Sequence, residues 1–178
     1  MRIISGKYRG KKLQEFDLST TKPTLDRVKE SIFNLIQFDV AGAVACDLFA
    51  GTGALGAECV SRGAEKVYLI DSNPKAIKII QSNLKNMDGN FKIVNTDYLD
   101  FLKTCHTKFD LVLLDPPYKT DLGVKAIEYI VKNDMLNANG IIIFETSKEL
   151  DFVFDYPQFD IDKRTYGTVA AYKFVKKG

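Results

Sequence analysis

The sequence is poor in the residues that build metal sites and disulfide frameworks. Its 178 residues include one histidine, His106, and three cysteines, Cys46, Cys59 and Cys105, with no CxxC pair. Zinc sites and disulfide frameworks need such residues in closely spaced sets, so the sequence predicts neither, and we expect no metal. We interpret Cys46 and Cys59 as buried packing residues and His106 as a surface loop residue.

Long apolar runs are missing as well. The opening MRIISGKYRG has no apolar stretch of the signal-peptide kind. No later run approaches the roughly 20 apolar residues that a membrane helix needs. We therefore expect no membrane partner and a cytoplasmic location. Hydrophobic residues make up 46% of the chain and charged residues 27%, which is typical of an ordinary globular protein.

The charge is nearly balanced but unevenly distributed. The formal net charge is +2, yet residues 1–30 carry eight basic and four acidic side chains, and residues 160–178 add a net +3. The middle of the chain is therefore acidic. Basic ends are typical of a protein that docks on a polyanion, but lysine-rich ends can also simply be solvated. The charge pattern by itself leaves both interpretations open.

From Val44 onward, short apolar runs alternate with helical patterns. The runs are VACDLF, VYLID, FKIVN, FDLVLLD and GIIIFE, followed by a tail ending in AAYKFV. Helices are predicted at Ala54–Ser61 and from Pro74 to about Asn86, the second capped by Ser72 or Asn73. This alternation predicts an α/β fold with a largely parallel sheet.

The first forty residues do not follow this alternation. Arg2–Phe16 predicts a small hairpin around two glycines, and Thr24–Gln37 predicts a helix with apolar residues at helical spacing. We interpret residues 1–40 as an appendage and residues 41–178 as the core. No linker rich in Pro, Gly or Ser separates them, so we expect one domain in which the appendage packs on the core or forms its substrate-facing side.

A glycine-rich turn follows the first predicted strand. Gly51, Gly53 and Gly56 in DLFAGTGALG match GxGxxG, and Asp71 lies 20 residues beyond Gly51, where a carboxylate can bind both hydroxyls of a ribose. These features fit NAD and S-adenosylmethionine equally well. NAD would place its pyrophosphate on the helix N-terminus, whereas S-adenosylmethionine has no phosphate and offers an ammonium group that Asp47 could bind.

Carboxylates follow three successive predicted strands, at Asp47, Asp71 and Asp97. Because the carboxyl ends of parallel strands share one edge of a sheet, this triple suits a ligand with an ammonium, a ribose diol and an adenine amine. A carboxylate after a strand can instead cap the next helix. The predicted cofactor-binding residues are Asp47, Phe49, Gly51, Thr52, Gly53, Leu55, Gly56, Asp71, Ser72, Asp97 and Tyr98.

The tetrapeptide Asp115–Tyr118, DPPY, directly follows the apolar run FDLVLL. An exocyclic base amine is a poor nucleophile because its lone pair is delocalised into the ring. Asp115 and the carbonyl of Pro116 can each accept one amine N–H, which turns the lone pair toward a methyl donor, and Tyr118 can stack on the base. Pro117 makes the turn rigid. These four residues are the predicted catalytic set.

The chemistry assigned to DPPY is positioning. Methyl transfer from a sulfonium is one in-line displacement with a neutral leaving group, and positioning can supply roughly 7–11 kcal/mol of its barrier. A carboxylate with an ordinary pKa of about 4 would gain little as a general base. The target base must also leave its stack, which favours loops or flipped nucleotides over intact duplex.

Together these motifs resemble the RsmD family, bacterial class I methyltransferases of the DPPY type that modify guanine N2 in small-subunit ribosomal RNA. The resemblance rests on RIISGKYRGKKL, KPTLDRVKESIFN, DLFAGTGALGAE, DPPY and the FE that ends at Glu145. It implies a Rossmann-like class I methyltransferase fold, doubly wound, with a seven-stranded, mostly parallel sheet whose last strand is antiparallel. It also implies S-adenosylmethionine as the cofactor and a small-subunit assembly intermediate as the partner.

In this family the basic amino-terminal arm is thought to meet RNA. By this resemblance we expect RNA contacts from Lys7, Arg9, Lys11, Lys12, Lys22 and Arg27. The family usually has arginine before the Pro-Thr pair, where this chain has Lys22, and lysine cannot make the bidentate phosphate contact of arginine.

Three alternatives stay open. An adenine-N6 methyltransferase acting on DNA or RNA fits because DPPY positions any planar amine. An NAD-dependent oxidoreductase would use GTGALG and Asp71 but leave DPPY without a role. A non-catalytic RNA-binding module would use only the basic ends. Near the end of the chain, Tyr166 and Gly167 predict a hairpin turn between the last two strands, which would put Arg164 near the rim of the site.

Overall fold

The structure, a computed structural model, describes residues 1–16 and 23–178. In these residues, helices and strands alternate from the first strand to the fifth, as the sequence pattern predicts. The elements in chain order are α1 (Pro23–Leu35), β1 (Val44–Asp47), α2 (Ala54–Ser61), β2 (Lys66–Asp71), α3 (Pro74–Leu84), β3 (Phe91–Asn95), α4 (Tyr98–Thr104), β4 (Phe109–Leu114), α5 (Leu122–Lys132), β5 (Leu136–Ser147), β6 (Phe159–Tyr166) and β7 (Val169–Lys176).

The strands form one seven-stranded sheet in the order β3-β2-β1-β4-β5-β7-β6. The strands from β3 to β5 are parallel, and β7 runs antiparallel to both of its neighbours. The predicted seven-stranded, mostly parallel sheet with an antiparallel last strand is confirmed. Strand order reverses between β1 and β4, and open α/β sheets bind ligands in the crevice that such a reversal leaves at the carboxyl ends of the strands.

Helices cover both faces of the sheet, so the fold is doubly wound as predicted. One face packs against α1, α2 and α3, and the core there includes Phe33, Val60 and Ile80. The other face packs against α4 and α5, and the core there includes Phe101 and Ile127. Among the described residues, no helix is both long and apolar enough to cross a membrane.

The predicted helix positions agree with the structure to within a few residues. Helix α2 has the predicted bounds, and α3 begins at Pro74 after the cap residue Asn73, whose side chain accepts a hydrogen bond from the Lys75 amide. Helix α1 ends at Leu35, two residues earlier than predicted. The apolar spacing continued to Ile36 because that side chain is fully buried in the turn after the helix.

The amino-terminal arm, residues 1–16, is a compact loop closed by a single antiparallel bridge between Arg2 and Lys12. The predicted hairpin is therefore present, but without two regular strands. Gly6 has a φ of +84°, and a Cβ there would lie 1.9 Å from the Ser61 carbonyl oxygen. That carbonyl accepts a hydrogen bond from the Lys7 amide. The arm is thus seated on the end of α2, and glycine is required at the contact.

A buried ion cluster fixes the arm to the core. The Lys29 ammonium lies 3.3 Å from a carboxylate oxygen of Glu58 and donates a hydrogen bond to the Arg2 carbonyl. Glu58 also accepts hydrogen bonds from the amides of Ile4 and Ser5. Burial lowers the pKa of Lys29, and the charge of Glu58 acts in the opposite direction. This cluster lies outside the predicted motifs, and it joins the arm, α1 and α2.

Candidate active site

A cavity of about 450 Å³, the main cavity, lies at the carboxyl ends of β1 to β4. It brings together the predicted catalytic residues and six of the predicted cofactor residues, which the chain spreads over about 70 positions. Its lining consists of Leu48, Phe49, Gly51, Asp71, Ser72, Thr96, Asp97, Tyr98, Asp115, Pro116, Pro117, Tyr118 and Leu122. The cavity occupies the crevice where strand order reverses.

Two backbone amides of the glycine-rich turn already donate hydrogen bonds to carboxylates of the protein. The Gly51 amide donates to Asp71 Oδ2 at 2.8 Å, and the Gly56 amide donates to Asp47 Oδ2 at 2.9 Å. A pyrophosphate would need such amides and would meet the negative charge of both carboxylates. The turn therefore fits a ligand that brings positive charge better than it fits a dinucleotide.

Asp47 lies beneath this turn and is almost fully buried. Its Oδ1 atom has no hydrogen-bond partner among the described residues. Burial raises the pKa of Asp47 to about 7, and the charge of Asp71 adds to this effect, whereas the hydrogen bond from Gly56 opposes it. Asp47 does not line the main cavity. In this structure it anchors the start of α2.

Asp71 and Asp97 both line the main cavity. Asp71 Oδ1 accepts a hydrogen bond from the Asn73 amide, so each of its carboxylate oxygens has one protein partner and a further lone pair. Asp97 Oδ1 accepts from the Leu99 amide at 2.8 Å and caps α4. Asp97 thus both caps α4 and lines the main cavity. Beside it, the rings of Phe49 and Tyr98 lie 5.1 Å apart between centroids and form an apolar wall.

A second cavity of about 250 Å³, the arm cavity, adjoins the first and shares Phe49, Gly51 and Asp115 with it. Its lining consists of Met1, Val28, Lys29, Phe49, Ala50, Gly51, Thr52, Ala54, Leu55, Asp115 and Glu145. The amino-terminal arm and α1 therefore form part of a wall that also carries the predicted catalytic aspartate.

Three predicted cofactor residues, Asp47, Gly53 and Gly56, line neither cavity. Gly53 is the cap residue of α2, with a φ of +76°. A Cβ on Gly56 would lie 2.4 Å from the Leu69 side chain. Both glycines thus allow α2 to pack closely on the sheet, which is one of the physical reasons for glycine in this turn.

Asp115 and Glu145 are neighbours at the carboxyl edge of the sheet. Leu114, the last residue of β4, pairs with Phe144 on β5, and adjacent strands lie about 4.7–4.9 Å apart, so Asp115 follows β4 beside Glu145. The Tyr118 hydroxyl donates a hydrogen bond to Glu145 Oε1 at 3.0 Å, and the Tyr118 side chain is 45% exposed. Tyr118 is thus held at one end, with its ring accessible.

Both of these carboxylates have perturbed acidity. Burial raises the pKa of Asp115 well above its usual range, and the charges of Glu145 and Asp47 raise it further. Burial also raises the pKa of Glu145, against the lowering effect of the Tyr118 hydrogen bond. The assumption of an ordinary pKa for Asp115 is therefore wrong, because that value applies to a solvated carboxylate. A positively charged ligand in the cavity would lower these pKa values again.

The predicted RNA-binding residues are spread along the arm and α1. Lys7 forms an exposed ion pair with Asp88, and the Lys11 ammonium donates to the Lys85 carbonyl, whereas Lys12 is exposed. Arg9 and Arg27 line a cleft that also contains Arg2, Ile3, Ile4, Gly10, Asp26 and Glu30. Lys22 lies outside the described residues.

The minor predictions can also be compared with the structure. His106 is exposed in the loop after α4, and Cys46 and Cys59 are fully buried, as predicted. The turn at Gly167, with a φ of +60°, joins β6 to β7, so the predicted hairpin is confirmed. Arg164 is exposed and pairs with Asp162.

The sequence patterns assign no role to Glu145 or Lys29. Glu145 belongs only to a family motif, although it ends an apolar run in the same way as the three predicted carboxylates and could have been found by that signal. Lys29 gives no signal, because a lysine at a helical position is ordinarily exposed.

Comparison with known proteins agrees with this geometry. The family described as "Conserved hypothetical protein 95" matches residues 1–175. The Bacillus subtilis protein YlbH is 35% identical over 184 residues, covering 100% of both chains. "Ribosomal RNA small subunit methyltransferase D" of Haemophilus influenzae is 33% identical over 175 residues, covering 96% of this chain and 91% of the relative. The solved structure of Escherichia coli yhhF has a TM-score of 0.88 at 30% identity, with 99% of this chain and 98% of that chain covered.

The sheet order, the acidic edge and a DPPY turn after β4 together define a class I methyltransferase, which is an enzyme class that uses a cofactor of the S-adenosylmethionine type. The chain belongs to the RsmD family, as its resemblance in sequence predicts. Membership of this family contradicts two of the open alternatives, the NAD-dependent oxidoreductase and the non-catalytic RNA-binding module.

Proposed function

We propose that this chain transfers a methyl group from S-adenosylmethionine to the exocyclic N2 amine of a guanine in small-subunit ribosomal RNA. The observation that carries the proposal is that Asp115–Tyr118 and the acidic edge formed by Asp71 and Asp97 line one cavity. The name of the Haemophilus influenzae relative, which is similar over nearly the whole chain, supports ribosomal RNA as the substrate.

The residues present fit the cofactor. Asp71 would bind the ribose hydroxyls with its remaining lone pairs, and the wall formed by Phe49 and Tyr98 would hold the adenine ring, with Asp97 and Ser72 nearby. Gly51, Thr52 and Leu55 would border the amino-acid part, because they line the arm cavity. When bound, the cofactor supplies an electrophilic methyl group on a positively charged sulfur. The excess of carboxylates, including the unpartnered oxygen of Asp47, favours that positive charge.

The DPPY residues would orient the target amine. Asp115 would accept one N–H, and the carbonyl of Pro116 would accept the other, while Pro117 keeps the turn rigid. Tyr118 would stack its accessible ring on the base, because its hydroxyl is held by Glu145. The raised pKa of Asp115 also suits it to take up the proton that the methylated amine releases.

The arm would dock the RNA. Arg9 and Lys12 of the arm are exposed, and Arg27 on α1 is exposed in the same cleft as Arg9, whereas Lys7 pairs with Asp88. We propose that the natural substrate is a small-subunit assembly intermediate, in which the target guanine is still accessible and can leave its stack. Ribosomal RNA as the substrate would place the enzyme in the cytoplasm.

The test is to incubate the protein with labelled S-adenosylmethionine and either naked small-subunit rRNA or small-subunit particles, and to digest the RNA to nucleosides. We expect label in N2-methylguanosine, with more product from particles. Label in N6-methyladenosine would identify an adenine enzyme and contradict the proposed base, and the absence of label from every RNA would contradict the proposed substrate.

A further inference from the structure

We infer that Glu145 determines the specificity for guanine by accepting a hydrogen bond from the N1–H of the target base while Asp115 binds its N2 amine. This inference rests on the proposed function and assigns a role to a residue that the DPPY motif does not include. It identifies a physical basis for choosing guanine over adenine, a choice that DPPY alone does not make.

Asp115 and Glu145 lie side by side at the carboxyl edge of the sheet. Asp115 is the first residue after β4, Glu145 is on the neighbouring strand β5, and both line the arm cavity. On the Watson–Crick edge of guanine, the N1–H and the N2 amine are adjacent donors that point in nearly the same direction. Two carboxylates side by side on adjacent strands match two adjacent donors.

Glu145 can accept a further hydrogen bond. Its side chain is only 7% exposed, and among the described residues its Oε1 accepts one hydrogen bond, from Tyr118, while its Oε2 has no partner. An oxygen without a protein partner, on a residue that lines the arm cavity, can accept a hydrogen bond from a base bound there. The Tyr118 bond also fixes the carboxylate plane, so the group is oriented before the base arrives.

Adenine presents a different pattern of hydrogen-bond donors and acceptors to the same two carboxylates. Adenine has an acceptor, N1, next to its N6 amine, and this atom would face the lone pairs of Glu145 if Asp115 bound the amine. Each N–H or O–H that donates to Glu145 favours its ionised form, so Tyr118 and guanine act together. The site therefore attracts guanine and repels adenine, and both effects contribute to specificity.

Glu145 could recognise the base, as inferred, or only hold Tyr118 in place. Two variants, each tested on two bases, distinguish these roles. The variants are Glu145→Gln, which presents an N–H toward the base, and Tyr118→Phe, which removes the hydroxyl that holds Glu145 and leaves the carboxylate. The bases are guanine and 2-aminopurine, which retains the 2-amine but has an acceptor at N1. Each base is placed by ligation at the rRNA position that the wild-type enzyme methylates.

For the wild-type enzyme we expect kcat/KM to be about 10- to 100-fold higher on guanine than on 2-aminopurine. Glu145→Gln should lose a similar factor on guanine and retain its rate on 2-aminopurine, so that the preference disappears or reverses. Tyr118→Phe should lower the rates on both bases together and keep the guanine preference. Calorimetry should show that both variants bind S-adenosylmethionine within a few-fold of the wild-type affinity.

Three results would overturn the inference. They are an equal loss on both bases in Glu145→Gln, a loss of cofactor binding in that variant, or a wild-type enzyme that does not distinguish the two bases. Each of these leaves N2-methylguanosine as the wild-type product, so the proposed function would survive. A wild-type product of N6-methyladenosine would instead overturn both.

Discussion

At the scale of single residues, the site depends on carboxylates that are kept out of water. Asp47, Asp115 and Glu145 stand toward the carboxyl ends of three adjacent strands, and burial raises the pKa of each. A ligand-free protein does not gain stability from such an arrangement, because none of the three carboxylates forms an ion pair with another described residue. Binding of the proposed cationic cofactor would supply the missing positive charge, and the burial of the carboxylates would then favour that binding.

Asp115→Ala tests the role of the DPPY aspartate. Without the acceptor for the amine, methyl transfer should fall by about 100- to 1,000-fold, the loss typical of one oriented hydrogen bond at a reacting group. Cofactor affinity should stay within a few-fold, since the ribose and adenine contacts are unchanged. Single-turnover kinetics and calorimetry measure the two quantities. Asp160→Ala, which removes an exposed carboxylate on β6, is the matched control and should leave both unchanged. Parallel loss of binding and transfer would show that Asp115 belongs to the cofactor site.

Asp47→Asn tests the buried carboxylate through the pH dependence of stability. The pKa of Asp47 is about 7 in the folded chain, above that of an unfolded aspartate, so the folded chain binds the proton more tightly. The contribution of Asp47 to the free energy of unfolding is therefore largest at low pH and falls as the pH rises from about 4 to about 7.

Thermal unfolding of the ligand-free protein between pH 5 and pH 8 measures this effect. The wild-type melting temperature should fall as the pH rises, apart from the contributions of other groups, and Asp47→Asn should reduce the slope. Asp115 and Glu145 also have raised pKa values, so a residual slope should persist. An unchanged slope in Asp47→Asn would mean that Asp47 is ionised without cost in the folded chain.

At the scale of elements, the amino-terminal arm is attached to the core by backbone contacts and by the Lys29–Glu58 cluster. Breaking such a buried pair costs about 3–5 kcal/mol, because a charge is left without compensation. The arm is therefore held rigidly where it borders the arm cavity. This rigidity is consistent with the proposed role of the arm in docking RNA next to Asp115.

Gly6→Ala tests the docking of the arm, with Gly10→Ala as the matched control. Both glycines have a φ near +85°, so alanine costs each about 1–2 kcal/mol. A Cβ at Gly10 meets nothing within 4 Å, whereas one at Gly6 meets the Ser61 and Arg62 backbone. Gly6→Ala should therefore cost a further 1–3 kcal/mol or so in urea unfolding. Equal losses in the two variants would indicate that the arm moves away from α2 without cost.

At the scale of the whole molecule, exposed basic residues lie on the arm, whereas acidic residues line the two cavities. The arm packs on the same face of the sheet as α1, α2 and α3, and the carboxylates of the site lie at the edge of that face. RNA docked on the arm would thus approach the arm cavity, which Asp115 and Glu145 line. A polyanion and a cationic cofactor would occupy separate surfaces.

Neutralising the arm should change how RNA binding depends on salt. The double variant Arg9→Ala/Lys12→Ala should bind small-subunit rRNA more weakly and reduce the slope of log K against log[salt] by about 0.7–0.9 for each phosphate that the arm no longer neutralises. Lys103→Ala/Lys132→Ala removes two exposed charges from α4 and α5 on the other face and should change neither quantity. Fluorescence anisotropy at several salt concentrations measures both. An unchanged slope in the arm variant would argue against docking through these residues.

The sequence by itself determined the class of fold, the glycine-rich turn and the DPPY motif. These features depend on interactions between residues that are close in sequence. Apolar periodicity specifies strands and helices, and glycine and proline specify turns. Carboxylates that follow parallel strands are expected at one edge of the sheet, because the carboxyl ends of the strands meet there. Family membership followed from motifs that extend along the whole chain. The positions of α2 and α3 were predictable for the same reason, because their cap residues directly precede them and their apolar residues are close together in the sequence.

Only the tertiary structure decided which of these residues meet. Pairing of β4 with β5 put Glu145 beside Asp115, 30 positions away along the chain, and the charge of Glu145 there adds to the burial that raises the pKa of Asp115. Burial of Lys29 against Glu58, and of Asp47 beneath the turn, likewise depended on packing between elements that are distant in sequence. Desolvation is a property of the assembled core, and residue order alone does not specify it.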